Sequence, residues 1–275
     1  MTDVKTELTA ELVGAGLDQR EARWLIEEFV PGNDRDAIAA LRVAARRRLD
    51  GEPLQYIIGH WPFCSLDLEV DKRVLIPRPE TEELVHVALT ALAKGDVVAP
   101  VIMDMGCGSG AIGLALLDEL RRRGVVASLV AIDESLDALA LAKRNARKHQ
   151  LNAVSFVHSS WFDNVDASLA GNVDLIVANP PYVSEEEFLG LDPVLRFEPI
   201  GALVAPDARG VGGFADLDII IEEAYKWLKP GGLLICEHAN THRDAVVNAS
   251  NAAGFHGVED VKDLAGHPRI LVARR

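Results

Sequence analysis

The sequence predicts an α/β protein: a Rossmann-like, doubly wound and mostly parallel sheet, preceded by a small helical domain. Beyond residue 97, apolar segments with strand spacing alternate with amphipathic segments of helical spacing. A glycine-rich loop at 106–110 follows the first of these strands, and a mostly apolar strand at 173–178 stops abruptly at Asn-Pro-Pro-Tyr. The expected division is a helical domain (1–62), a hairpin or extended connector (63–80) and a sheet domain (81–275).

The first fifty residues have the spacing of amphipathic helices. Apolar residues at i, i+3, i+4 and i+7 follow Asp18, which suits a helix N-cap, and Pro31-Gly32 is expected to end that helix. The same spacing recurs from Ile38 to Leu49, after which glycine and proline break it. So short a unit is expected to have little core of its own and to pack against the residues that follow.

The connector is predicted from an alternation of apolar residues between Phe63 and Ile76. It leads into the segment IPRPETEELV, where Pro77 and Pro79 restrict the backbone. Thr81, with the glutamates after it, suits the start of a helix.

The sheet domain is predicted element by element. Strands are expected at 99–104, 128–132, 153–158, 173–178 and 231–237. Helices are expected near 111–122, 135–149, 214–229 and 241–253. The tail, at 255–262 and 268–274, has the spacing of a closing antiparallel pair.

The composition favours a globular protein over a disordered one, with 49% hydrophobic and 25% charged residues. No apolar run is long enough for a membrane span, and charged residues interrupt the first twenty positions, so a cytoplasmic protein is expected. Cys64, Cys107 and Cys236 are far apart and form no CxxC motif. We interpret them as reduced and buried, and expect no metal site.

The formal net charge is −14, from 28 Lys and Arg against 42 Asp and Glu. Such a surface repels the phosphate backbone, which argues against a nucleic-acid substrate. A local basic patch could still exist at Arg42, Arg46, Arg47 and Arg48, where the first two share a helix face. The alternative interpretation is the solvated face of an amphipathic helix.

A glycine-rich loop follows the first predicted strand and precedes a helix. Its glycines allow a tight turn and bring a ligand close to backbone amides at a helix N-terminus. The GxGxG spacing differs from the dinucleotide fingerprint, and an acidic residue just before it favours a ligand with positive charge. S-adenosylmethionine, with an ammonium and a sulfonium, is such a ligand. The residues predicted to bind it are Asp104, Gly106, Cys107, Gly108, Ser109 and Gly110.

Two further residues extend this predicted cofactor site. Asp133 ends the second strand of the sheet domain, where a carboxylate can accept both hydroxyls of a ribose. The alternative role for Asp133 is a helix N-cap. Trp161 follows the third strand, where its planar indole can lie against an adenine ring, and the alternative is a core tryptophan.

Asn179, Pro180, Pro181 and Tyr182 form a stiff loop at the carboxyl end of a strand, where open α/β sheets bind ligands. Beside a methyl donor, this loop suggests a mechanism. A planar NH2 group is a poor nucleophile because its lone pair is delocalised, so a site must hold both hydrogens and expose the nitrogen. The side-chain oxygen of Asn179 and the carbonyl of Pro180 can accept those hydrogens, and Tyr182 can stack on the group. The alternative is an ordinary Pro-Pro turn.

Taken together, seven segments resemble those of a known family. IPRPETE, DMGCGSG, VAIDES, SWF, NPPYV, RFEP and EHA are similar to the motifs of the release factor glutamine methyltransferases, the HemK or PrmC family, over residues 51–269. IPRPETE together with NPPY is the most specific combination, because NPPY alone also occurs in DNA adenine methyltransferases. Glu80 stands where the family usually has Asp, and Cys107 where Thr is frequent. Neither departure should disturb a site made by the backbone.

The resemblance implies a class I S-adenosylmethionine-dependent methyltransferase fold for 81–275, and a helical domain at 1–62 that helps to hold the protein substrate. It implies contacts to cofactor or substrate by the glycine loop, Asp133, Trp161 and Asn179. The implied activity is transfer of a methyl group from S-adenosylmethionine to the side-chain amide nitrogen of the glutamine in the GGQ motif of peptide chain release factors. The product cofactor is then S-adenosylhomocysteine.

Two other functions stay open. The first is a methyltransferase for an exocyclic amino group of a nucleic-acid base, which would need a basic groove and a target-reading domain. The second is a regulator that binds the cofactor without catalysis. With release factors as partners, we expect a monomer that associates with neither membrane nor nucleic acid.

Overall fold

The computed structural model describes residues 4–31, 35–95, 97–263 and 265–275. Asp18 is the N-cap of the second helix, as predicted, and its side chain accepts from the N–H groups of Arg20 and Glu21. That helix ends at Phe29, while Gly32, expected to end it with Pro31, lies outside the described residues. The first part of the chain contains the helices α1 (Val4–Gly14), α2 (Gln19–Phe29), α3 (Arg35–Leu49) and α4 (Leu54–Ile58).

These four helices have a core of their own, which corrects the expectation that the unit would have little. Apolar side chains from all four, among them Leu25, Leu41 and Leu54, form one buried cluster. Burying each such side chain contributes about 1.5–3 kcal/mol. The unit is also fixed to the connector, because the Tyr56 hydroxyl donates to the Val74 carbonyl at 2.6 Å.

A short antiparallel hairpin follows, with strands β1 (His60–Phe63) and β2 (Leu66–Glu69). It begins at His60 and not at Phe63, inside the predicted helical domain, because Gly59 adopts φ 86° and turns the chain from α4 directly into the strand. The next helix, α5 (Pro79–Ala93), begins at Pro79 and not at Thr81, since proline is well accommodated in a first turn.

The predicted doubly wound sheet is confirmed, with strand order β5-β4-β3-β6-β7-β9-β8. The first five strands of that order are parallel, and the tail forms the predicted antiparallel pair. The order reverses between β3 and β6, the position at which open α/β sheets bind ligands. The strands are β3 (Val101–Met105), β4 (Ser128–Asp133), β5 (Val154–His158), β6 (Val173–Ala178), β7 (Leu228–Glu237), β8 (His256–Lys262) and β9 (Pro268–Arg274).

The connecting helices lie close to their predicted positions, with one addition. A short helix, α8, follows Asn-Pro-Pro-Tyr and begins with a capping box between Ser184 and Glu187. The helices are α6 (Ala111–Arg122), α7 (Leu136–Lys148), α8 (Glu185–Leu189), α9 (Ala215–Trp227) and α10 (Arg243–Ala252).

Both faces of the sheet are covered. On one face α5, α6 and α7 pack with strand residues such as Ile102 and Leu175, and on the other α9 and α10 pack with Met103 and Ile176. This alternation follows from the period of two along a strand. Every residue of β6 is buried, so the strand gives the loop that follows it a rigid support.

The cysteines only partly match their interpretation. All three are free, and Cys107 and Cys236 are buried, but Cys64 is exposed because it lies in the turn of the hairpin. Among the described residues, each helix is too short or too polar to cross a bilayer.

Candidate active site

A cavity of about 370 Å³ lies at the carboxyl ends of β3, β4 and β6, where the strand order reverses. This volume is within the range of small-molecule sites. Of the predicted site residues, the cavity is lined by Gly106, Cys107, Gly108, Ser109, Asp133, Trp161, Asn179 and Pro181. The predicted residues that do not line it are Asp104, Gly110, Pro180 and Tyr182.

The glycine loop, residues 106–110, turns sharply between β3 and α6. Its three glycines have positive φ angles of 68°, 54° and 83°, which residues with a side chain rarely adopt. At Gly110 a Cβ atom would lie 2.8 Å from Leu114 Cδ1. The Cys107 N–H donates to the Ile132 carbonyl at 2.8 Å and fixes the loop to the end of β4. Glycine is therefore needed for the shape of the loop, even at Gly110, which lies away from the cavity.

Asp133 ends β4 beside the glycine loop. Its Oδ2 accepts from the Gly108 N–H and its Oδ1 from the Ser135 N–H, both at 2.8 Å. Ser135 is the N-cap of α7, and its hydroxyl accepts from the Ala138 N–H, so the N-cap alternative for Asp133 is wrong. Burial raises the pKa of Asp133, opposed by its two backbone hydrogen bonds. Each carboxylate oxygen still has capacity for a further hydrogen bond.

Asp104 lies behind the glycine loop and not on the cavity surface, which corrects the expectation of direct contact with a ligand. It is 1% exposed, and its Oδ2 accepts from the Gly113 N–H at 2.8 Å. Its Oδ1 is buried with no hydrogen-bond partner among the described residues. Burial raises the pKa of Asp104 to about 7, with a smaller contribution from the charge of Asp133. A cation in the cavity would favour the ionised form of Asp104.

Trp161 has a backbone φ of 41°, an outlier for a bulky residue of the kind that clusters at functional sites. Its indole covers Gly106, where a Cβ atom would lie 3.5 Å from Cζ3. The indole lines the cavity and also packs against the core, so the two interpretations of Trp161 are compatible.

Asp216 is a cavity residue that sequence analysis missed. Its Oδ1 accepts from the Trp161 Nε1–H at 3.1 Å, which fixes the plane of the indole. Burial raises the pKa of Asp216. From sequence, an aspartate in the first turn of α9 has an ordinary explanation, because negative charge is favourable at a helix N-terminus.

Asn179 begins the asparagine loop, residues 179–182, and lines the cavity. Its Nδ2 donates to Thr81 Oγ1 at 3.2 Å, and the Thr81 hydroxyl donates to Glu237 Oε2 at 2.7 Å. Within the described ranges no donor is bonded to Asn179 Oδ1. Sequence analysis missed Thr81, which suited a helix start, and Glu237, which appeared only as part of the EHA motif.

The other residues of the asparagine loop differ in exposure. Pro180 is buried, and no N–H or O–H of the described residues donates to its carbonyl. Pro181 lines the cavity. Tyr182 does not, and its hydroxyl donates to Glu237 Oε1 at 3.2 Å while its ring packs at the edge of the core. This contact fixes the tyrosine hydroxyl, and stacking of the Tyr182 ring on the acceptor stays a prediction.

The IPRPETE segment is fixed beside the cavity by a buried carboxylate. Glu198, with a side chain 2% exposed, accepts from the Arg78 guanidinium at 2.5 Å and from the Ile76 N–H at 2.9 Å. These bonds hold the start of α5, and with it Thr81, against the segment that follows α8. The Arg78 side chain is 31% exposed, so the buried carboxylate is the member of this pair that depends on its partners.

The arginine cluster of α3 does not form a free basic patch. Each of its four guanidinium groups faces a carboxylate, in the pairs Arg42–Glu11, Arg46–Asp50, Arg47–Glu52 and Arg48–Glu21. This geometry favours the interpretation as a solvated helix face.

Comparison with known proteins places the chain in a family. Residues 98–264 match the family model described as a methyltransferase domain. The release factor glutamine methyltransferase of Haemophilus influenzae is 43% identical, over 82% of this chain and 77% of that protein. The protein of the same name from Escherichia coli K12 is 36% identical, over 98% of this chain and 96% of that protein.

Solved structures are similar in fold. The catalytic domain of hMettl16, in complex with a MAT2A 3'UTR hairpin, gives a TM-score of 0.59 at 14% identity, over 97% of this chain and 90% of that chain. A methyltransferase from Pyrococcus furiosus gives 0.52 at 15% identity, over 88% and 98%. At these identities the similarity shows the class I methyltransferase fold alone. By its sequence relatives, which it matches over most of its length, the chain belongs to the family of release factor glutamine methyltransferases.

Proposed function

We propose that the protein transfers a methyl group from S-adenosylmethionine to the side-chain amide nitrogen of the glutamine in the GGQ motif of peptide chain release factors. The observation that carries this proposal is the Asn179 side chain, which lines the cavity beside the glycine loop with its Nδ2 bonded to Thr81 and its Oδ1 without a donor. The name shared by the relatives supports the choice of acceptor.

The residues of the cavity suit this cofactor. The Asp133 carboxylate can accept hydrogen bonds from both ribose hydroxyls, because two backbone N–H groups already fix its orientation. The second carboxylate oxygen of Asp216 can accept a hydrogen bond from the exocyclic amine of an adenine that lies against Trp161. The orphaned Oδ1 of Asp104 provides negative charge behind the loop. When bound, S-adenosylmethionine would supply an electrophilic methyl group on its sulfonium. The glutamine nitrogen bonds to the methyl carbon as the carbon–sulfur bond breaks, S-adenosylhomocysteine leaves, and the nitrogen releases one of its two protons to solvent.

The asparagine loop orients the acceptor. Asn179 Oδ1 accepts one hydrogen of the glutamine amide. Pro180 is buried and does not line the cavity, but its carbonyl has no donor among the described residues and accepts the other hydrogen, which leaves one face of the nitrogen open. Both acceptors lie on stiff backbone after a fully buried strand, so little reorganisation is needed when the amide binds. No nucleophilic side chain of the protein is required.

The surface charge supports a protein acceptor over a nucleic acid. The net charge is −14, and the arginines of α3 are paired with carboxylates. We assign the protein to the cytoplasm, where release factors act, and expect it to work as a monomer, with residues 1–62 helping to hold the release factor.

The deciding experiment mixes the purified protein with methyl-labelled cofactor and, separately, a release factor, its GGQ glutamine-to-alanine variant, and DNA. Label is expected in the release factor alone. Label in DNA but not in the release factor would contradict the proposal and favour a base methyltransferase. Cofactor binding without label in any acceptor would favour a non-catalytic regulator.

A further inference from the structure

Glu237 is a buried carboxylate bound to two parts of the acceptor site. It is 2% exposed, and it accepts from the Thr81 hydroxyl on Oε2 and from the Tyr182 hydroxyl on Oε1. We propose that Glu237, acting through Thr81, is a positioning residue that determines which way the Asn179 amide faces. This inference rests on the proposed function, because it concerns the orientation of the group that receives the acceptor.

The direction of the hydrogen bonds follows from counting hydrogens. A threonine hydroxyl has one hydrogen and two lone pairs, and an ionised carboxylate can only accept. The Thr81 hydrogen therefore goes to Glu237, at 2.7 Å. Towards Asn179 the same hydroxyl can only accept, so the group facing it must be Nδ2, at 3.2 Å. Asn179 Oδ1 is then on the opposite side of the amide, available to an N–H donor in the cavity.

The opposite arrangement would damage the site. A group at position 237 that donated to Thr81 Oγ1 would leave the threonine hydrogen for Asn179 Oδ1. The Asn179 amide would then turn over and present its NH2 group to the NH2 group of the glutamine. Two donors cannot bond to each other, so the acceptor nitrogen would be held poorly.

Several charged groups surround Glu237. Burial raises its pKa, and the charge of Glu80 on α5 raises it further. The Thr81 and Tyr182 hydrogen bonds and the charge of Arg269 on β9 oppose this shift. Because the ionised form sets the orientation of Asn179, the transfer rate is lost as the pH falls through this raised pKa.

The test compares three single variants with the wild type. Thr81→Val removes the hydroxyl, Glu237→Gln keeps the shape but adds a donor, and Thr81→Ser is the matched control that keeps the hydroxyl. We expect Thr81→Val and Glu237→Gln to lower kcat on the release factor roughly ten- to a hundredfold, with the cofactor Kd changed less than about twofold. Thr81→Ser should stay within about threefold of the wild type.

Two further measurements separate positioning from a general structural role. The double variant Thr81→Val/Glu237→Gln should be no slower than the slower single variant, because both changes disrupt one unit. The acidic limb of the kcat–pH profile that reflects Glu237 should disappear in Glu237→Gln. Should Glu237→Gln fail to fold, the contrast between Thr81→Val and Thr81→Ser decides, since both keep the carboxylate.

The outcomes distinguish this inference from the proposed function. A wild type that does not label the release factor contradicts the function itself. A wild type that labels it, together with a wild-type kcat in Thr81→Val, overturns only the positioning role. Three other results would also overturn the positioning role. The first is an equal loss of kcat in Thr81→Ser and Thr81→Val. The second is a double variant in which the two single losses multiply, and the third is an acidic limb of the kcat–pH profile that persists in Glu237→Gln.

Discussion

The two halves of the cavity are built in different ways. The cofactor half, which consists of the glycine loop and Asp133, is made from backbone amides and one carboxylate at the ends of the neighbouring strands β3 and β4, which the Gly108–Asp133 hydrogen bond joins. The acceptor half, which consists of Asn179, Thr81 and Glu237, is made from side chains on three distant elements. Damage to the cofactor half should therefore weaken binding, whereas damage to the acceptor half should slow transfer.

The largest effect is expected at Asn179. Asn179→Ala removes the acceptor for one amide hydrogen, so kcat on the release factor should fall roughly a hundred- to a thousandfold, as when an oxyanion-hole donor is removed. The cofactor Kd, measured by calorimetry, should stay near that of the wild type. Asn172→Ala is a matched control on the exposed approach to the same strand and should transfer normally. A full transfer rate in Asn179→Ala would refute the acceptor role.

Substitution of Asp133 tests the cofactor half of the cavity. Asp133→Ala should weaken cofactor binding roughly ten- to a hundredfold, because hydrogen bonds to a charged group contribute about 1.5–3 kcal/mol. At saturating cofactor, kcat should change little. Asp137→Ala, in the exposed first turn of α7, provides the control. An unchanged Kd in Asp133→Ala would exclude the ribose contact.

Asp216 should show a smaller effect of the same kind. Asp216→Asn keeps the size of the side chain but replaces one of its two acceptors with a donor, so cofactor affinity should fall roughly tenfold. Glu223→Gln, on the exposed face of α9, is the comparison. A cofactor analogue that lacks the adenine amine is expected to bind Asp216→Asn and the wild type equally well, whereas the natural cofactor should bind the wild type more tightly. That pair of results would identify the amine as the group that Asp216 recognises. Equal affinity of Asp216→Asn and the wild type for the natural cofactor would show that Asp216 does not contact the adenine amine.

The smallest effect concerns pH. The pKa of Asp104 is raised to about 7, and a positively charged cofactor favours its ionised form, so proton and cofactor oppose each other. Affinity should fall roughly threefold as the pH drops from about 8 to about 6, and Asp104→Asn should remove this dependence. An affinity that rises on acidification would have the wrong sign for a buried carboxylate.

The sequence predicts the cofactor half of the cavity better than the acceptor half. The sheet, the glycine loop and the position of Asp133 were predictable because a local pattern of glycines and apolar residues specifies them. Thr81, Asp216 and Glu237 were not, because their partners lie far away in the chain. The Thr81–Glu237 bond joins residues 156 apart, the Asn179–Thr81 bond 98 and the Trp161–Asp216 bond 55. No local pattern encodes such a separation. The inward position of Asp104 was also hidden, because its backbone lies next to the loop while its side chain turns beneath it.

The buried side-chain amide of Asn145 joins the β1–β2 hairpin to the glycine loop. Asn145 on α7 accepts from the Glu69 N–H at 2.7 Å and donates to the carbonyls of Glu69 at 3.1 Å and Ser109 at 2.9 Å. Strand β2 of the hairpin and the glycine loop are thus bonded to a single side chain. If the loop becomes more rigid when cofactor binds, the Glu69 amide should exchange its hydrogen with solvent more slowly. A hairpin residue, outside the cavity, would then report on whether the cavity is filled.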